Sequence, residues 1–365
     1  MSELSKYDDW LNKDHVAAIV IREPLTPVEG PDGVVFPATF AAAEDKKVFP
    51  GGYNIDPPEG EKNVCLVDSV GSQANRIEPV FAKTDYADLV PQIVIQAGEK
   101  SVNLLDAGHR AGDAIVRCTT LQEKFQGAFQ DVLRGNAVTL AKLAPTSLVF
   151  GVWDSRDTQA KLPRLIAATI RAFDVQKLTR SAQFNPSADY IGLGLLEDST
   201  DKKVRDAYAE RGFVHVPATG SHGGVIAHGG VRRDVTFSLA ALRLLSAGED
   251  EGKTLALRRY ILGLSLVALT APAQTYLRQG CNLVPDIDNP RTFTLINSDG
   301  VRSELKLTHE QTLAFAKITA QEFGVGASET VNFDPSLAKK DIAGEGKVKP
   351  TRKKTSKTAG DPKPE

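Results

Sequence analysis

The chain has 365 residues, of which 41% are hydrophobic and 25% are charged, and its formal net charge is −2. This composition is typical of a globular protein whose core is large enough to need neither disulfides nor a structural metal. The net charge excludes a protein that is basic over its whole surface. The charge is unevenly distributed, because residues 347–365 carry seven basic and two acidic side chains, which leaves 37 basic and 44 acidic side chains in the preceding 346 residues.

The cysteines and the apolar runs bear on the cellular compartment. Cys65, Cys118 and Cys281 are far apart and show neither a CxxC pair nor a zinc-binding spacing, which is typical of a reducing cytoplasm. The N-terminus has no apolar signal core. The most apolar run, ILGLSLVALTA, has 11 residues, fewer than the ~18 of a membrane span. We therefore expect a cytoplasmic protein without membrane contact, and a buried helix at this run.

In the first half of the chain, strands are predicted from short runs rich in β-branched residues, and helices from apolar residues three and four apart. A stretch dense in Pro and Gly predicts a long irregular insertion. In chain order the predictions are a strand over 15–23, the insertion over 24–62, a strand over 63–67, a helix over 68–78, strands and turns over 92–118, a helix over 119–134 and a strand over 147–153.

The second half continues the mixture of strands and helices without a regular βαβ rhythm, which favours an α+β fold. The length allows two domains or one elaborated domain over residues 1–335. We expect a disordered basic tail over 336–365, because it is almost without apolar residues. The predicted elements are a strand over 165–173, a polar insertion over 174–230 with a helix near 201–211, a strand over 231–237, a buried helix over 253–270, a hairpin over 292–307 and a last helix that Thr308 opens, with Gln311 at the capping-box spacing.

Two motifs that suggest a cofactor have simpler interpretations. AGEDEGKT at 247–254 matches a relaxed phosphate-loop pattern, but no clear strand precedes it and its three carboxylates would repel a triphosphate. We interpret it as an acidic turn that caps the next helix, and a nucleotide hydrolase is the weaker alternative. His215, His222 and His228 lie within 14 residues, but their many glycines predict a mobile loop rather than a metal site. No cofactor and no metal are predicted.

The segment DSVGSQANRIE at 68–78 is more informative. On a helix, Val70, Ala74 and Ile77 share one face and are expected to pack inward. The other side offers hydroxyl, amide and guanidinium groups, which suit contacts with phosphate and sugar, although an ordinary solvated helix face is the alternative. The candidate nucleic-acid-binding residues in this segment are Ser69, Ser72, Gln73, Asn75 and Arg76.

A second candidate segment follows the strand predicted over 147–153. A tryptophan at a strand end, followed by cations, can stack on a base and hold its phosphate, whereas the alternative is a core tryptophan beside a charged turn. No GxSxG, HExxH or Cys–His pattern indicates a catalytic set. The candidates here are Trp153, Ser155, Arg156, Gln159, Lys161 and Arg164, and weaker ones further along the chain are Arg180, Gln183, Arg232 and Arg233.

These segments resemble a known family. DSVGSQANRIEPVF (68–81) and LVFGVWDSRDTQAKLPRLI (148–166), with further segments at 178–190, 223–245 and 277–286, are similar to the RAMP-superfamily backbone subunit of the type I-G (formerly I-U) CRISPR Cascade, the Cas-seven group. The resemblance spans roughly residues 15–325. It implies an RRM-like (ferredoxin-like) palm with large insertions, described as fingers and thumb, around 24–62 and 174–230.

The resemblance also implies a function in antiviral defense. Several copies would polymerise along one CRISPR RNA (crRNA) within a ribonucleoprotein complex, support its pairing with target DNA, and contact a large subunit and a guide-end subunit. The candidates at 69–76 would contact the RNA backbone, and those at 153–164 the RNA or a neighbouring copy. Asp157 departs from the pattern, because a small residue is expected there and a carboxylate is unfavourable beside phosphate. The subunit is expected not to be an enzyme; the alternative is a metal-dependent ribonuclease of the same superfamily.

Overall fold

The computed structural model describes residues 3–57 and 62–343 of the chain. Most of the strands are short, and the longer ones build either the middle of the main sheet or a two-stranded arm. In chain order they are β1 (Val16–Pro27), β2 (Thr39–Phe40), β3 (Gly52–Tyr53), β4 (Ile55–Asp56), β5 (Val64–Asp68), β6 (Ile93–Ala97), β7 (Lys100–Asn103), β8 (Val152–Trp153), β9 (Lys161–Leu162), β10 (Ile166–Phe173), β11 (Val175–Phe184), β12 (Val216–Ala227), β13 (Val231–Ser238), β14 (Tyr276–Arg278), β15 (Cys281–Pro285), β16 (Thr292–Asn297), β17 (Arg302–Glu304) and β18 (Glu329–Asn332).

Helices are interspersed with these strands throughout the described residues, so the fold is a mixed α+β one. Five short 3-10 helices, among them Glu78–Ala82 and Arg110–Gly112, connect longer elements. The α-helices are α1 (Asp8–Asn12), α2 (Val70–Ile77), α3 (Ala114–Arg117), α4 (Gln122–Leu133), α5 (Val138–Leu143), α6 (Pro145–Phe150), α7 (Lys202–Glu210), α8 (Leu239–Leu242), α9 (Glu251–Thr270), α10 (His309–Phe323) and α11 (Pro335–Ala343).

The main sheet is antiparallel, with the strand order β14-β15-β1-β13-β10-β5-β4. The outer edge of β1 is shared, because β16 pairs with its first part and β15 pairs with Leu25–Pro27 at its end. The strand β17 continues the sheet beyond β16. Smaller sheets join β18 to β6 and β7, β2 to β3, and β8 to β9.

One face of the main sheet is covered by helices and carries the core. Ile19 and Ile21 on β1 and Phe237 on β13 are fully buried there. The helix α9 is buried along most of its length, and α10 packs against it so closely that a Cβ at Gly263 would lie 2.6 Å from Thr319 Oγ1. A second, smaller apolar cluster lies around β5, β14 and β15 and includes Cys65, Val67, Leu277, Cys281 and Leu283.

The arm consists of β11 and β12, which pair with each other and with no other strand of the described residues. It leaves the sheet directly after β10, since only Asp174 separates the two strands, at a φ of +48°. Its tip, which we define as residues 185–215, contains α7. No residue of the range 185–217 is buried.

Most of the predicted elements are confirmed. The strands predicted over 15–23, 63–67, 165–173 and 231–237 are β1, β5, β10 and β13, and the helices predicted over 68–78, 119–134, 201–211 and 253–270 are α2, α4, α7 and α9. The predicted hairpin is β16 and β17. The predicted cap is present, because Thr308 Oγ1 accepts a bond from the Gln311 amide (3.2 Å). No helix of the described residues is long and apolar enough to cross a membrane.

The strand predicted over 147–153 is wrong. Residues Pro145–Phe150 form α6, all six of them buried, and only Val152 and Trp153 are extended. A short buried apolar run does not distinguish a strand from a helix by periodicity alone. The stronger signal was Pro145, because proline favours the first position of a helix.

The glycine-rich segment at 220–231 was predicted as a mobile loop, which is also wrong. Its residues up to Ala227 belong to β12, and the glycines allow close packing of the backbone. A Cβ at Gly223 would lie 2.7 Å from the Thr179 carbonyl carbon, and Gly224 has a φ of +92°. Glycine within a strand often marks such a close approach.

The tail predicted over 336–365 begins with ordered structure, because α11 covers Pro335–Ala343. Asp334 binds the Ser336 amide and hydroxyl (2.7 and 2.6 Å) at the start of this helix. The remainder of the predicted tail, residues 344–365, lies outside the described residues.

Candidate nucleic-acid interface

The buried carboxylate of Asp68, at the end of β5, organises the start of the first candidate segment. Its Oδ2 accepts bonds from Gln73 Nε2 (2.7 Å) and Arg76 Nε (3.0 Å), and its Oδ1 accepts from Arg278 Nη2 (2.6 Å). Ser69 caps α2, since its hydroxyl accepts from the Ser72 amide (3.3 Å). These contacts fix α2 against the sheet edge.

The environments of the α2 candidates differ more than the helical pattern predicts. Gln73 is 3% exposed and serves Asp68 from inside the protein, which is a different use from the predicted RNA contact. The Arg76 side chain is 23% exposed although one nitrogen binds Asp68. Ser69 and Ser72 are half-buried and Asn75 is exposed.

Arg110, which sequence reasoning missed, connects the two candidate segments. Its Nη2 donates to Asn75 Oδ1 (3.1 Å) and its Nη1 to the Gly151 carbonyl (3.4 Å), while its Nε lies 2.7 Å from Glu78 Oε2. The guanidinium carbon also lies 5.5 Å from the centre of the Phe150 ring. Arg110 has a φ of +50°, a strained value for a residue with a side chain.

The second candidate segment is residues 153–164, which contain the end of β8, the loop that joins it to β9, β9 itself and the two residues that follow; we call this segment the W-loop. The buried Asp154 carboxylate accepts bonds from the Asp157 amide (3.3 Å), the Thr158 amide (2.8 Å) and the Thr158 hydroxyl (2.6 Å). These bonds close the loop from inside. Gln159 is exposed at a φ of +62° and donates to the Ser155 carbonyl (2.6 Å).

The outer surface of the W-loop is aromatic and cationic. Trp153 is 57% exposed, so the alternative of a core tryptophan is excluded. Lys161 Nζ lies 5.4 Å from the centre of the indole. Arg156 and Arg164 are exposed, and Ser155 is half-buried. The carboxylate of Asp157, the departure noted in the sequence, accepts a bond from Gln126 on α4 (3.0 Å) and is thereby held toward that helix.

The structure therefore brings Asn75 of α2 and the base of the W-loop onto one surface through Arg110. The contact is close on both sides: a Cβ at Gly112 would lie 3.1 Å from the Trp153 carbonyl oxygen, and Gly108 lies near the Asn75 amide. We call the exposed side chains of α2 and the W-loop, together with Arg110 beneath them, the joined surface.

The four weaker candidates lie away from the joined surface. Arg180 and Gln183 are on the arm, which leaves β10 at its Phe173 end, whereas the W-loop precedes the Ile166 end. The eight residues of β10 span seven steps between these ends, a distance of roughly 23 Å. Arg180 lies 5.9 Å from the Phe36 ring, and Gln183 is exposed.

The adjacent arginines of β13 point to opposite faces of the sheet. Arg233 is 6% exposed and lies 2.6 Å from Glu23 Oε2, its register partner on β1, so its side chain serves the interior rather than the predicted RNA contact. Arg232 forms two bonds with Asp234 (2.8 and 3.1 Å) and lies 4.7 Å from the centre of the Phe173 ring. Neither arginine joins the W-loop.

A cleft of about 1020 Å³ opens beside α2, on the helix-covered face of the sheet. Glu23, Leu25, Ile170 and Arg233 form its floor. Its walls come from α2 and the following 3-10 helix on one side, and from residues 271–291 on the other. Four of its charged residues are basic and two acidic: Arg76, Lys83, Arg233 and Arg291 against Glu23 and Asp286.

The two buried ion pairs, Arg110–Glu78 and Arg233–Glu23, carry an electrostatic cost. Burial raises the pKa of Glu78, and Arg110 opposes that shift. Burial likewise lowers the pKa of Arg110 and of Arg233, each of which its carboxylate partner counteracts. A buried pair of this kind contributes little net stability, but removal of one partner is costly. Both pairs therefore define geometry more than they add stability.

The two motifs that suggested a cofactor have other roles in the structure. Asp250 caps α9 by accepting from the Lys253 amide (2.9 Å), which confirms the interpretation of residues 247–254 as an acidic capping turn. His222 packs on Tyr53 (ring centres 4.8 Å apart), and His228 binds Gln176 (3.2 Å). Within the described residues, no group of three or more His, Cys, Asp or Glu side chains is placed to hold a metal ion.

Comparison with known proteins gives one family. Residues 19–177 match the family model described as CRISPR-associated protein GSU0053. The match supports a CRISPR-associated protein with a role in CRISPR defence. The matched range begins in β1, contains α2, Arg110 and the W-loop, and ends in the first residues of the arm. No curated protein matches the chain.

Proposed function

We propose that this CRISPR-associated protein is a multicopy backbone subunit of a type I interference complex that holds the guide RNA, of the Cas-seven group in type I-G systems. The observation that carries the proposal is the joined surface: Arg110 binds both Asn75 on α2 and the carbonyl of Gly151, two residues before the W-loop, which holds the two segments side by side. The family match supports the CRISPR context and covers both segments.

The strand order supports an RRM-like palm as part of this proposal. Along the middle of the main sheet, β16, β1, β13 and β10 are adjacent and antiparallel. Helices connect β1 to β10 and β13 to β16. Counted in chain order these four strands read 4-1-3-2 across the sheet, with a helix in each crossover, and this order supports the ferredoxin-like arrangement that we propose. Residues 28–57 and the arm would be insertions into it, since residues 24–27 of the predicted first insertion belong to β1.

The chemistry of the joined surface suits a nucleic-acid backbone. Arg156, Lys161 and Arg164 are exposed cations for phosphates, and Trp153 offers an aromatic face on which a base can stack. Contacts of this kind position a strand without reading its sequence. A subunit of this kind would leave sequence recognition to pairing between the guide and its target DNA.

The salt dependence of RNA affinity tests the assignment of these cations. Because each phosphate contact releases counterions, Lys161→Ala and Arg164→Ala should each lower the slope of log K against log salt by about 0.7 on single-stranded RNA. Trp153→Ala should weaken binding by roughly 1–3 kcal/mol. The matched control is Lys100→Ala on β7, an exposed cation away from the W-loop. Slopes equal to wild type in both cation variants would contradict the assignment.

Isolation of the protein from cells that carry a matching repeat array and partner proteins tests the function itself. The expected result is a large particle that contains several copies and small RNA of discrete length. A monomer free of nucleic acid would contradict the proposal. The proposal also holds that the chain does not cleave RNA; magnesium-dependent cleavage of a target RNA by the purified complex, abolished by one Asp substitution, would favour the ribonuclease instead.

A further inference from the structure

The last described element of the chain, α11, is fixed to the end of α3. The Asp334 amide, just before α11, donates to the Cys118 carbonyl (2.7 Å). Near the other end of α11, Asp341 Oδ2 accepts a bond from Arg117 Nη2 (3.2 Å). Because both ends of the helix are held, the direction in which the chain leaves α11 is set by α3.

The end of α3 also adjoins the W-loop. A Cβ at Gly112, two residues before α3, would lie 3.1 Å from the backbone of the W-loop. Burial raises the pKa of Cys118, and the carboxylates of Asp341, Asp334 and the W-loop residue Asp157 add to that shift. Carboxylates from α11 and from the W-loop therefore surround the same thiol, and the chain leaves α11 beside the joined surface.

The outer side of α11 is cationic. Lys339 and Lys340 are exposed there, and Arg156 is exposed on the W-loop. None of these three cations forms an ion pair within the part of the chain that the structure describes. The neighbouring carboxylates of Asp341 and Asp157 are each bound by another side chain. The cations between α11 and the W-loop are therefore available to an anionic ligand.

The sequence after α11 continues this positive charge. Residues 347–360, which we call the basic segment, contain six basic side chains and no acidic one. The six are Lys347, Lys349, Arg352, Lys353, Lys354 and Lys357. The basic segment lies outside the described residues, but Lys347 follows the last residue of α11 by four positions. Four residues span at most about 14 Å, so the first cation of the basic segment cannot lie far from the end of α11.

We propose that the basic segment, together with Lys339 and Lys340, is a second nucleic-acid-binding element that holds phosphates of the guide RNA next to the stretch on the joined surface. The inference rests on the proposed function and adds binding residues that neither candidate segment contains. Runs of basic side chains act as arms that bind nucleic acid, and they do so without reading its sequence. Because residues 1–346 carry more acidic than basic side chains, such an arm would offset the repulsion of the strand by the rest of the surface.

Neutralisation of the basic segment in the full chain tests the inference. In this neutralised variant each of the six basic residues is changed to Gln. The slope of log K against log salt on single-stranded RNA should fall by about 0.7 for each lost phosphate contact, hence by up to about 4. Denaturant unfolding measured in parallel distinguishes a loss of contacts from a loss of the fold. A fall of less than about 0.7, which is less than one contact, would overturn the inference.

A pair of described lysines tests the placement of this element. Lys339→Gln combined with Lys340→Gln should lower the same slope by up to about 1.4. The matched control combines Lys13→Gln and Lys317→Gln, because both lysines are exposed and lie at the end of α1 and on α10. The control pair should keep the wild-type slope. Equal slopes in the two pairs would overturn the placement beside the W-loop.

Duplex DNA and the W-loop variants distinguish the remaining results. If the neutralised variant loses affinity for duplex DNA but keeps the wild-type slope on RNA, the basic segment serves DNA and the inference is wrong. If Lys161→Ala and Arg164→Ala lower the slope on RNA while the neutralised variant does not, the proposed function stands and the inference fails. If the wild-type protein binds no RNA, the proposed function fails and the inference fails with it.

Discussion

The joined surface and the tip of the arm are built in opposite ways. The joined surface rests on buried polar groups, since Asp68, Asp154 and Arg110 are each at most 4% exposed and each holds an exposed or half-exposed segment in place. The tip has no buried residue between 185 and 217. The first surface is therefore preorganised by its own chain, whereas the second depends on what it contacts. This difference suits a fixed surface on which a ligand can bind.

The arm itself is held more firmly than its tip. The strands β11 and β12 pair along their whole length, and Val175 and Ala227 at the base are buried in the smaller apolar cluster. Further along, Val225 is buried against Val35, and His222 packs on Tyr53, but the outer part of the ladder is held mainly by hydrogen bonds. Such elements open locally at low free energy, which leaves them free to adapt to a partner.

The largest expected effect contrasts a core phenylalanine with one at the end of the arm. Phe237→Ala removes a fully buried ring from β13 and should lower the free energy of unfolding by about 3–5 kcal/mol. Phe184→Ala, at a ring that is 50% exposed, should cost less than about 1 kcal/mol. Chemical denaturation of both variants measures this. Similar losses at both sites would show that the tip has a core of its own.

The next effect concerns Arg110, whose loss leaves the buried Glu78 carboxylate without its cation. Arg110→Ala should lower the free energy of unfolding by about 3 kcal/mol or more. The control is Arg134→Ala, since Arg134 pairs with Asp131 at 3.6 Å on the surface and is 69% exposed; it should cost at most about 1 kcal/mol. In Arg110→Ala, RNA affinity should fall even where the protein remains folded, because Asn75 and the W-loop lose their connection.

The double variant Arg110→Met with Glu78→Leu distinguishes stability from positioning. Replacement of both charges by apolar groups should recover much of the lost stability. RNA affinity should remain low, because neither new side chain binds Asn75 or the Gly151 carbonyl. Recovery of both properties would show that Arg110 has only a structural role.

The sequence predicted the elements whose pattern is local. The strand β1 has its run of β-branched residues, α4 has Phe125 and Phe129 at helical spacing, and α10 has its cap at Thr308. The prediction failed where tertiary packing decides the conformation. All of α6 is buried, so its apolar run carries no periodicity, and the glycines of β12 reflect a neighbouring strand that is 44 residues away, Thr179 beside Gly223.

Prediction of the candidate site from the sequence is limited in the same way. Both candidate segments could be found from local composition, and the exposure of Trp153 and its cations agrees with that expectation. Arg233 could not be placed, because the carboxylate that binds it, Glu23, lies on a strand far away in the sequence. Asp68 is only five residues before Gln73, but its burial, which draws Gln73 inward, is visible only in the fold. Arg110 carried no local signal, since its partners are 32 to 41 residues away. A positive φ at a non-glycine residue is visible only in three dimensions.

A matched pair of glycines tests how tightly α9 packs against α10. A Cβ at Gly263 would lie 2.9 Å from the Ala316 Cα on α10, so Gly263→Ala should lower the unfolding free energy by about 1–2 kcal/mol despite a better helix propensity. At Gly127 on α4 a Cβ meets nothing within 4 Å. Gly127→Ala should therefore stabilise the protein by about 0.5–1 kcal/mol. Equal effects would show that α9 and α10 separate easily.

The smallest expected effect is a pH dependence of the free energy of unfolding that arises at His309 on α10. Its ring nitrogens bond with the Tyr86 hydroxyl (2.9 Å) and the Thr270 hydroxyl (3.1 Å). Burial lowers the pKa of His309, and Arg291 adds to that shift. Because the unfolded chain then binds more protons, stability is fully present above a pH of about 6.5 and is lost as the pH falls below it. Unfolding of wild type and His309→Gln between pH 7 and 5 should show the steeper loss in wild type, and parallel curves would place this sensitivity elsewhere.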